Sequence, residues 1–323
     1  MVVVEAGSRI HLGFIDLAGD LGRMYGSIGL YLKKPSFKVI VRESDEIVVE
    51  GEGRDWIQAI VERIVDELGL RGLWVKILSA IPRHVGLGST TQTILGIASA
   101  ASKLHGLNLS VEDLAYRFGR GRRSGAGVWL FKYGGLVVDC GRGARTKIPP
   151  LLIRIHVPER LRVILASPRT SSRGFGEEVE DKVFKRVKAD PRLSEQASRI
   201  VLMKLLPSLI EGDLRGFGEA ATELDRINGL FFEEVQSGVY RRDCEMIVEK
   251  MLEAGALGAG QSSWGPIVYG FADSDELVEE IVESLKDFWA IVSRPRNLGA
   301  EIRRESHGIT GEKPSKPRAD NLN

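Results

Sequence analysis

The sequence points to an α+β protein in two domains, on three grounds. A length of 323 residues suffices for two units of about 100–200 residues each. Strand and helix patterns follow one another in mixed order, without the regular alternation of a doubly wound parallel sheet. The pattern also breaks at Pro149-Pro150 and restarts at Leu161. Residues 1–155 are therefore expected to form one domain and 156–303 a second, each burying its own core. The polar, Pro-containing stretch 304–323 is expected to be a disordered tail.

Met1–Val4 and the β-branched runs Phe37–Val41, Glu46–Glu50 and Leu73–Leu78 read as strands, with helix Trp56–Leu68 between the last two. After Pro82 and the turn Gly86-Leu87-Gly88, Ile94, Leu95, Ala98, Ala101 and Leu104 recur at helical spacing, a buried helix ended by Gly106. Ser110 to Asp113 has the form of a capping box opening another helix. Gly134-Gly135 leads into strand Leu136–Val138. Beyond the break come strand Val163–Ser167, helices near Glu178–Arg186, Ser194–Ile210, Leu214–Asn228 and Arg242–Ala254, and a glycine-rich bend at Gly255–Gly265. Strand Ile267–Gly270, helix Asp275–Lys286 and strand Phe288–Val292 complete the order.

Composition narrows the function. Lys and Arg number 45 against 44 Asp and Glu, so no global charge draws the chain to nucleic acid or an anionic membrane, and any anion site must be local. Met1–Ile10 lacks a cationic segment followed by an apolar run, and nowhere do about 18 uninterrupted apolar residues occur. A soluble, cytoplasmic protein is expected. Cys140 and Cys244 stand without ligand spacing and read as buried thiols; His105 and His156 read as surface residues, which leaves no His-based metal centre.

The richest stretch is Pro82–Gln92, where two glycines and three hydroxyl residues stand directly before a helix. Glycines let backbone amides approach an anion, and a helix N-terminus offers unpaired N–H groups and partial positive charge. His84, Gly86, Leu87, Gly88, Ser89, Thr90 and Thr91 are thus the candidate phosphate cradle; the bland alternative is a tight turn with a Ser/Thr-rich cap. It is not a Walker loop, because no Lys follows the second glycine, and Thr91 stands where a dinucleotide fingerprint needs its third glycine.

This loop resembles the P-x-x-x-G-L-G-S-S motif of the galactokinase, homoserine kinase, mevalonate kinase and phosphomevalonate kinase (GHMP) superfamily. Within it the chain is most similar to the β-ribofuranosylaminobenzene 5′-phosphate synthases. Ser8–Leu17, Gly22-Arg23 with Gly26–Leu30, Gly119–Gly127 with Tyr133–Asp139, and Gly258–Tyr269 extend the resemblance over nearly the whole chain. It implies an N-terminal ribosomal-protein-like α/β sandwich and a C-terminal ferredoxin-like domain. It also implies the reaction: phosphoribosyl pyrophosphate and 4-aminobenzoate, or 4-hydroxybenzoate, give an aryl C-riboside phosphate, carbon dioxide and pyrophosphate on the way to methanopterin-type cofactors. Mg²⁺ is implied and no organic cofactor; Ser89 and Glu177 are candidate ligands for the ion. A homodimer is expected, as the commonest assembly. Four departures stand out: Ser27 where a second glycine is common, Thr90 for a glycine, Arg122-Arg123 for a smaller Gly-Thr pair, and Ala259 for Val.

The kinases of the superfamily carry S-G-x-D, whose aspartate orients the acceptor hydroxyl or takes its proton. Here the stretch reads Ser124-Gly125-Ala126-Gly127, and glycine cannot be a base. A kinase would need a substitute carboxylate, with Asp16 the candidate; a phosphate-ligand binder without turnover is the third alternative. Arg9, His11 and Asp16 follow the first strand, and alternation puts Arg9 and His11 on one face. They are the candidate catalytic residues, against a structural Arg–Asp pair with a packed His. Arg120 and Arg123 are candidates for the 5′-phosphate. Arg23, Gly26 and Ser27, with Gln261, Ser262, Ser263 and Trp264 of the glycine-rich bend, are candidates for substrate contact, Trp264 by stacking on an arene or else as a core residue.

Overall fold

The computed structural model describes residues 1–170, 177–185, 187 and 190–305, with backbone alone at 177–179 and 181. Strands β1 (Val2–Asp16) and β2 (Tyr25–Ser44) form one long hairpin. Strand β3 (Ile47–Gly51) is linked through helix α1 (Arg54–Leu68) to strand β4 (Gly72–Ser79), which runs parallel to β3 and antiparallel to β2. Strands β5 (Leu136–Asp139) and β6 (Leu151–Ile155) extend the sheet on the other arm of β2. Alternation along β1 and β2 buries Val2, Val4, Ala6, Val39 and Val41. Helix α2 (Ser89–Leu104) lies across these two strands and is buried along nearly its whole length, as its Ala-rich surface allows. Two short helices, α3 (Val111–Arg117) with its capping box formed and α4 (Ala126–Tyr133), pack beside it.

The second sheet has the order β10-β7-β9-β8, antiparallel throughout, from β7 (Arg162–Ser167), β8 (Gly258–Gln261), β9 (Val268–Ala272) and β10 (Trp289–Ser293). After β7 come helices α5 (Glu177–Phe184), α6 (Pro191–Ile200), α7 (Leu206–Glu211), α8 (Leu214–Phe231), α9 (Glu233–Gln236) and α10 (Arg242–Glu253), then α11 (Asp275–Ser284) after β9. Val163, Leu165, Tyr269 and Phe271 face the core shared with the first sheet, while Ile164, Ala166, Val268 and Ala272 face α10 and α11. Among the described residues no helix is long and apolar enough to cross a membrane.

Several expectations need correction. The first strand, expected over Met1–Val4, continues to Asp16 and pairs with a second strand that starts at Tyr25; bulges between Gly7 and Ser8 and between His11 and Gly13 break the period that would have marked it. The helix expected at Ser194–Ile210 divides into α6, a π-helical turn Val201–Leu205 and α7, just ahead of Pro207, which has no N–H to continue the ladder. The two halves share an apolar cluster that runs from Val2 through Leu12 and Ile28 to Phe217 and Phe271, and the second half buries a further cluster of its own from Ile164 to Leu285. Finally, the end of the chain returns to the first sheet. Arg296 N–H donates to the Tyr31 carbonyl (2.8 Å), Ala300 N–H to that of Phe131 (2.7 Å), and β11 (Glu301–Arg304) pairs with β1. Helix α4 and strands β6 and β11 had no counterpart in the expected element order, and Cys140 is half-buried rather than buried. The expected tail lies, from residue 306, outside the described residues.

Candidate active site

The Gly86–Gly88 turn has its shape because no other residue fits. Gly86 and Gly88 adopt φ of 93° and 72°, and a Cβ on Gly86 would stand 2.2 Å from the Ser262 carbonyl oxygen, one on Gly88 2.8 Å from Arg9 Cγ. The turn is thus gripped between the two domains. Arg9 donates from its backbone to the Leu87 carbonyl and from its guanidinium to that of Gly86, both at 3.0 Å. Ser262 Oγ donates to the same Gly86 carbonyl (2.7 Å) and accepts the His11 N–H (3.0 Å). Gly88 caps α2 without a side chain, so the first-turn amides keep no internal partner while Ser89, Thr90 and Thr91 line a cavity. A 16-residue helix ending in free amides is a site for an anion.

Three chambers adjoin along one cleft. The phosphate chamber holds the loop from His84 to Thr91. Next to it is an arginine chamber containing Arg120, Arg122, Arg123 and Phe184; the two share Arg9, Arg120, Glu180, Ser263 and Trp264. A third, aromatic chamber shares His11, Phe14, Ser263 and Trp264 with the second. Burial lowers the Arg9 pKa to about 10, with Glu180 opposing the shift, so Arg9 stays charged at neutral pH. Arg123 pairs with Glu180 (2.7 Å) and lies 4.6 Å over the Phe184 ring. Four arginines against one described carboxylate make the middle of the cleft cationic. His11 is 4% exposed. Burial, and secondarily Arg9, lowers its pKa to about 3, so it is a neutral wall at physiological pH rather than a general acid.

Gly127 offers only backbone, its carbonyl accepting from Gln92 Nε2 (3.0 Å), and its Cα faces Thr91 of the loop. Asp16 does not replace the missing carboxylate. Its Oδ1 accepts the N–H groups of Ala18 (2.7 Å) and Gly19 (3.0 Å), closing the hairpin turn, and it lines a separate groove. The bulge at His11/Gly13 moves residues beyond it off the face that carries Arg9 and His11. Arg23 and Gly26 belong to that groove too, Arg23 binding the carbonyls of Cys140 (2.9 Å) and Gly141 (3.0 Å). Ser27 is buried on Asp139 and Ser124, where it supports the arginine loop from behind. Asp139 also accepts from Gly125 N–H (2.8 Å) and Gly141 N–H (2.8 Å), and burial raises its pKa against those hydrogen bonds.

Gln261 is held by Arg241 N–H and by the Ser263 carbonyl, both at 2.9 Å, and so positions the bend. Ser263, at φ 56°, and Trp264 reach all three chambers. Trp264 is 8% exposed and meets Phe232 edge-on at 4.6 Å, so it is both core residue and cleft wall. The side chain of Glu177 lies outside the described residues. Glu180, one turn further along α5, is the carboxylate that lines the cleft, and nothing in the spacing of Glu177, Glu178 and Glu180 singles it out. Asp225, Tyr240 and Phe232 of the aromatic chamber were also missed; an aspartate between Leu224 and Ile227 in an apolar helix was the available signal. Among the described residues no three His, Cys, Asp or Glu stand together as a metal cage.

Comparison with known proteins gives the same outline. The family models for the GHMP kinases N terminal domain and the GHMP kinases C terminal match residues 55–135 and 205–291. The beta-ribofuranosylphenol 5′-phosphate synthase of Methanothermobacter thermautotrophicus is 33% identical, over 93% of this chain and 98% of that one. Its namesake in Archaeoglobus fulgidus is 34% identical, over 94% and 99%. Among solved structures, L. major mevalonate kinase superposes with a TM-score of 0.66 at 20% identity, covering 90% of this chain and 95% of that chain. Homoserine kinase from Cytophaga hutchinsonii reaches 0.67 at 18%, covering 94% and 97%. Those two show the fold alone. With the GHMP phosphate loop in place and relatives of this identity aligned from end to end, the chain is an enzyme of the beta-ribofuranosylphenol 5′-phosphate synthase family.

Proposed function

We propose that this enzyme joins phosphoribosyl pyrophosphate to a para-substituted benzoate, with loss of carbon dioxide and pyrophosphate. The observation that carries the reading is the cleft itself: an uncapped helix N-terminus beside a cationic chamber, with Gly127 facing Thr91 at the motif position where the kinases carry an aspartate. The name of these relatives specifies a phenol bearing ribose 5-phosphate, which favours 4-hydroxybenzoate. 4-Aminobenzoate undergoes the same reaction.

The ring carbon that bears the carboxylate attacks the anomeric carbon, forming the C–C bond as the anomeric C–O bond breaks and pyrophosphate takes its electron pair. The para oxygen or nitrogen carries the positive charge that appears on the ring. Carbon dioxide then leaves, and its bonding pair restores the aromatic sextet. No proton has to move in either step, so the protein's part is to place the reactants and to stabilise the leaving charge. Loop amides of Gly88–Thr91 and the Arg9 guanidinium take the pyrophosphate, and Arg120, Arg122 and Arg123 take the 5′-phosphate. Ser89 and Glu180 on the same wall suit a magnesium ion that keeps mostly water and pyrophosphate oxygens as ligands. Such an ion would neutralise leaving-group charge.

The test is to incubate the enzyme with Mg²⁺, phosphoribosyl pyrophosphate and carboxyl-labelled 4-hydroxybenzoate or 4-aminobenzoate, with ATP and candidate acceptors in parallel. Labelled carbon dioxide should appear in step with pyrophosphate and only when phosphoribosyl pyrophosphate is present. Acceptor-dependent ATP turnover without label release would return the chain to the kinases, with Glu180 the first carboxylate to examine.

A further inference from the structure

The aromatic chamber carries an assignment of its own. It is a concave chamber between β1, helix α8, the 232–240 segment and the Gln261–Trp264 bend. Phe14, Phe232 and Trp264 supply ring faces and edges. Two polar atoms on its wall residues are buried without a hydrogen-bond partner: His11 Nε2 and the Tyr240 hydroxyl, on side chains 4% and 7% exposed. Arg226 lies near the Tyr240 hydroxyl and works against the burial that raises its pKa. Buried polar groups are nearly always paired, so two unpaired ones around one cavity mark a place for a ligand's polar atoms.

The charge of the chamber sets the orientation of that ligand. Among the described residues lining it there is no Lys or Arg. Its one carboxyl, Asp225, is fully buried; desolvation raises its pKa well above the ordinary value, against the hydrogen bond it accepts from Gln261 N–H (2.7 Å). A benzoate carboxylate is not stabilised there, whereas an uncharged hydroxyl or amino group is. The cations lie at the other end, beyond the shared wall of His11, Phe14, Ser263 and Trp264.

We infer that this chamber is the aryl subsite, with the para hydroxyl or amino group of the benzoate against Tyr240 and Asp225 and the carboxyl-bearing carbon turned toward the arginine chamber. This rests on the function proposed above and adds the residues that choose the aromatic substrate. Tyr240 is then a specificity residue: a hydroxyl both donates and accepts, so it serves a phenol or an aniline and discriminates against a methyl group of similar size.

The test compares binding of 4-hydroxybenzoate and 4-methylbenzoate by titration calorimetry, and KM for each substrate, in the wild type, Tyr240→Phe and Val239→Phe. Tyr240→Phe removes only an unpaired hydroxyl and should fold; Val239→Phe fills the chamber from its half-buried rim. The wild type should prefer the hydroxyl compound by about tenfold or more, as one buried hydrogen bond implies. Tyr240→Phe should erase that preference, and Val239→Phe should weaken both compounds about tenfold. KM for phosphoribosyl pyrophosphate should stay unchanged in both variants. Wild-type turnover with an unaltered aryl KM and preference in both variants overturns the subsite while leaving the reaction intact. Preference present in the wild type and erased in Tyr240→Phe, but without carbon dioxide release, upholds the subsite and removes the reaction. A wild type that neither binds nor turns over benzoates overturns both.

Discussion

The two ends of the cleft are built in opposite ways. At the proposed phosphate end the wall is made of backbone amides, two glycines and charged guanidinium groups, most of it within the contiguous stretch His84–Thr91. At the proposed aromatic end the wall is made of side chains drawn from β1, α8, the 232–240 segment and the loop after β8, with no Lys or Arg among the described lining residues and no continuous motif. An anion needs a fixed backbone and positive charge, and a short segment can carry both. A planar, partly neutral ring needs a shaped wall, which only tertiary packing supplies. The comparison predicts that substitutions at the two ends will separate cleanly in their effect on the two substrates.

The largest effect is expected at Gly86. An alanine there would drive its Cβ into the Ser262 carbonyl and strain a φ of 93°, shifting the loop amides. kcat/KM for phosphoribosyl pyrophosphate should fall about 10²–10³-fold, checked by initial rates at saturating benzoate. Arg9→Gln comes next. It removes a partly buried charge and leaves a shorter, neutral hydrogen-bonding side chain, so the same parameter should fall about 10²-fold, with the aryl KM nearly constant. Equal losses for both substrates in either variant would break the comparison.

A smaller effect is thermodynamic. His11 is neutral in the folded state down to a pKa of about 3 but titrates near 6.5 when unfolded. Between these values the unfolded chain binds the extra proton, so stability falls as pH falls. From pH 8 to pH 5 this group should cost about 2 kcal/mol of stability, and His11→Gln should flatten the denaturation free energy over that range by the same amount. An unaltered slope would mean that His11 is not sealed in the wall. The smallest effect is assigned to Asp16→Asn. Because Asp16 caps a turn outside the cleft, kcat and both KM values should stay within about twofold and stability should drop by about 1 kcal/mol; a large loss of kcat would put Asp16 back among the catalytic residues.

The same contrast explains what could be read before folding. The phosphate loop, the capping box at Ser110 and the helix α2 were legible because each is local: glycine spacing, a cap three residues from its partner, apolar residues at helical period. Arg9 and His11 were placed on one face by simple alternation, which holds until the bulge at His11/Gly13. Asp16, Arg23 and Gly26 lie beyond that bulge and line a separate groove, a placement no local pattern in the sequence marks. Ser27 was misread for another reason: its hydroxyl serves a buried carboxylate, Asp139, more than a hundred residues away. Glu180, Asp225 and Tyr240 gain their roles only when α5, α8 and the 232–240 segment meet β1, and no local pattern announces such meetings. β11 belongs to the same class, since a four-residue edge strand finds its partner at the opposite end of the sequence.

The most direct test of the division between the two ends is calorimetric titration of magnesium pyrophosphate into the wild type, Gly86→Ala and Tyr240→Phe. The account predicts binding to the wild type, weakening of about 10²-fold or more in Gly86→Ala, and no change in Tyr240→Phe. Undiminished pyrophosphate binding in Gly86→Ala, or loss of binding in Tyr240→Phe, would contradict it.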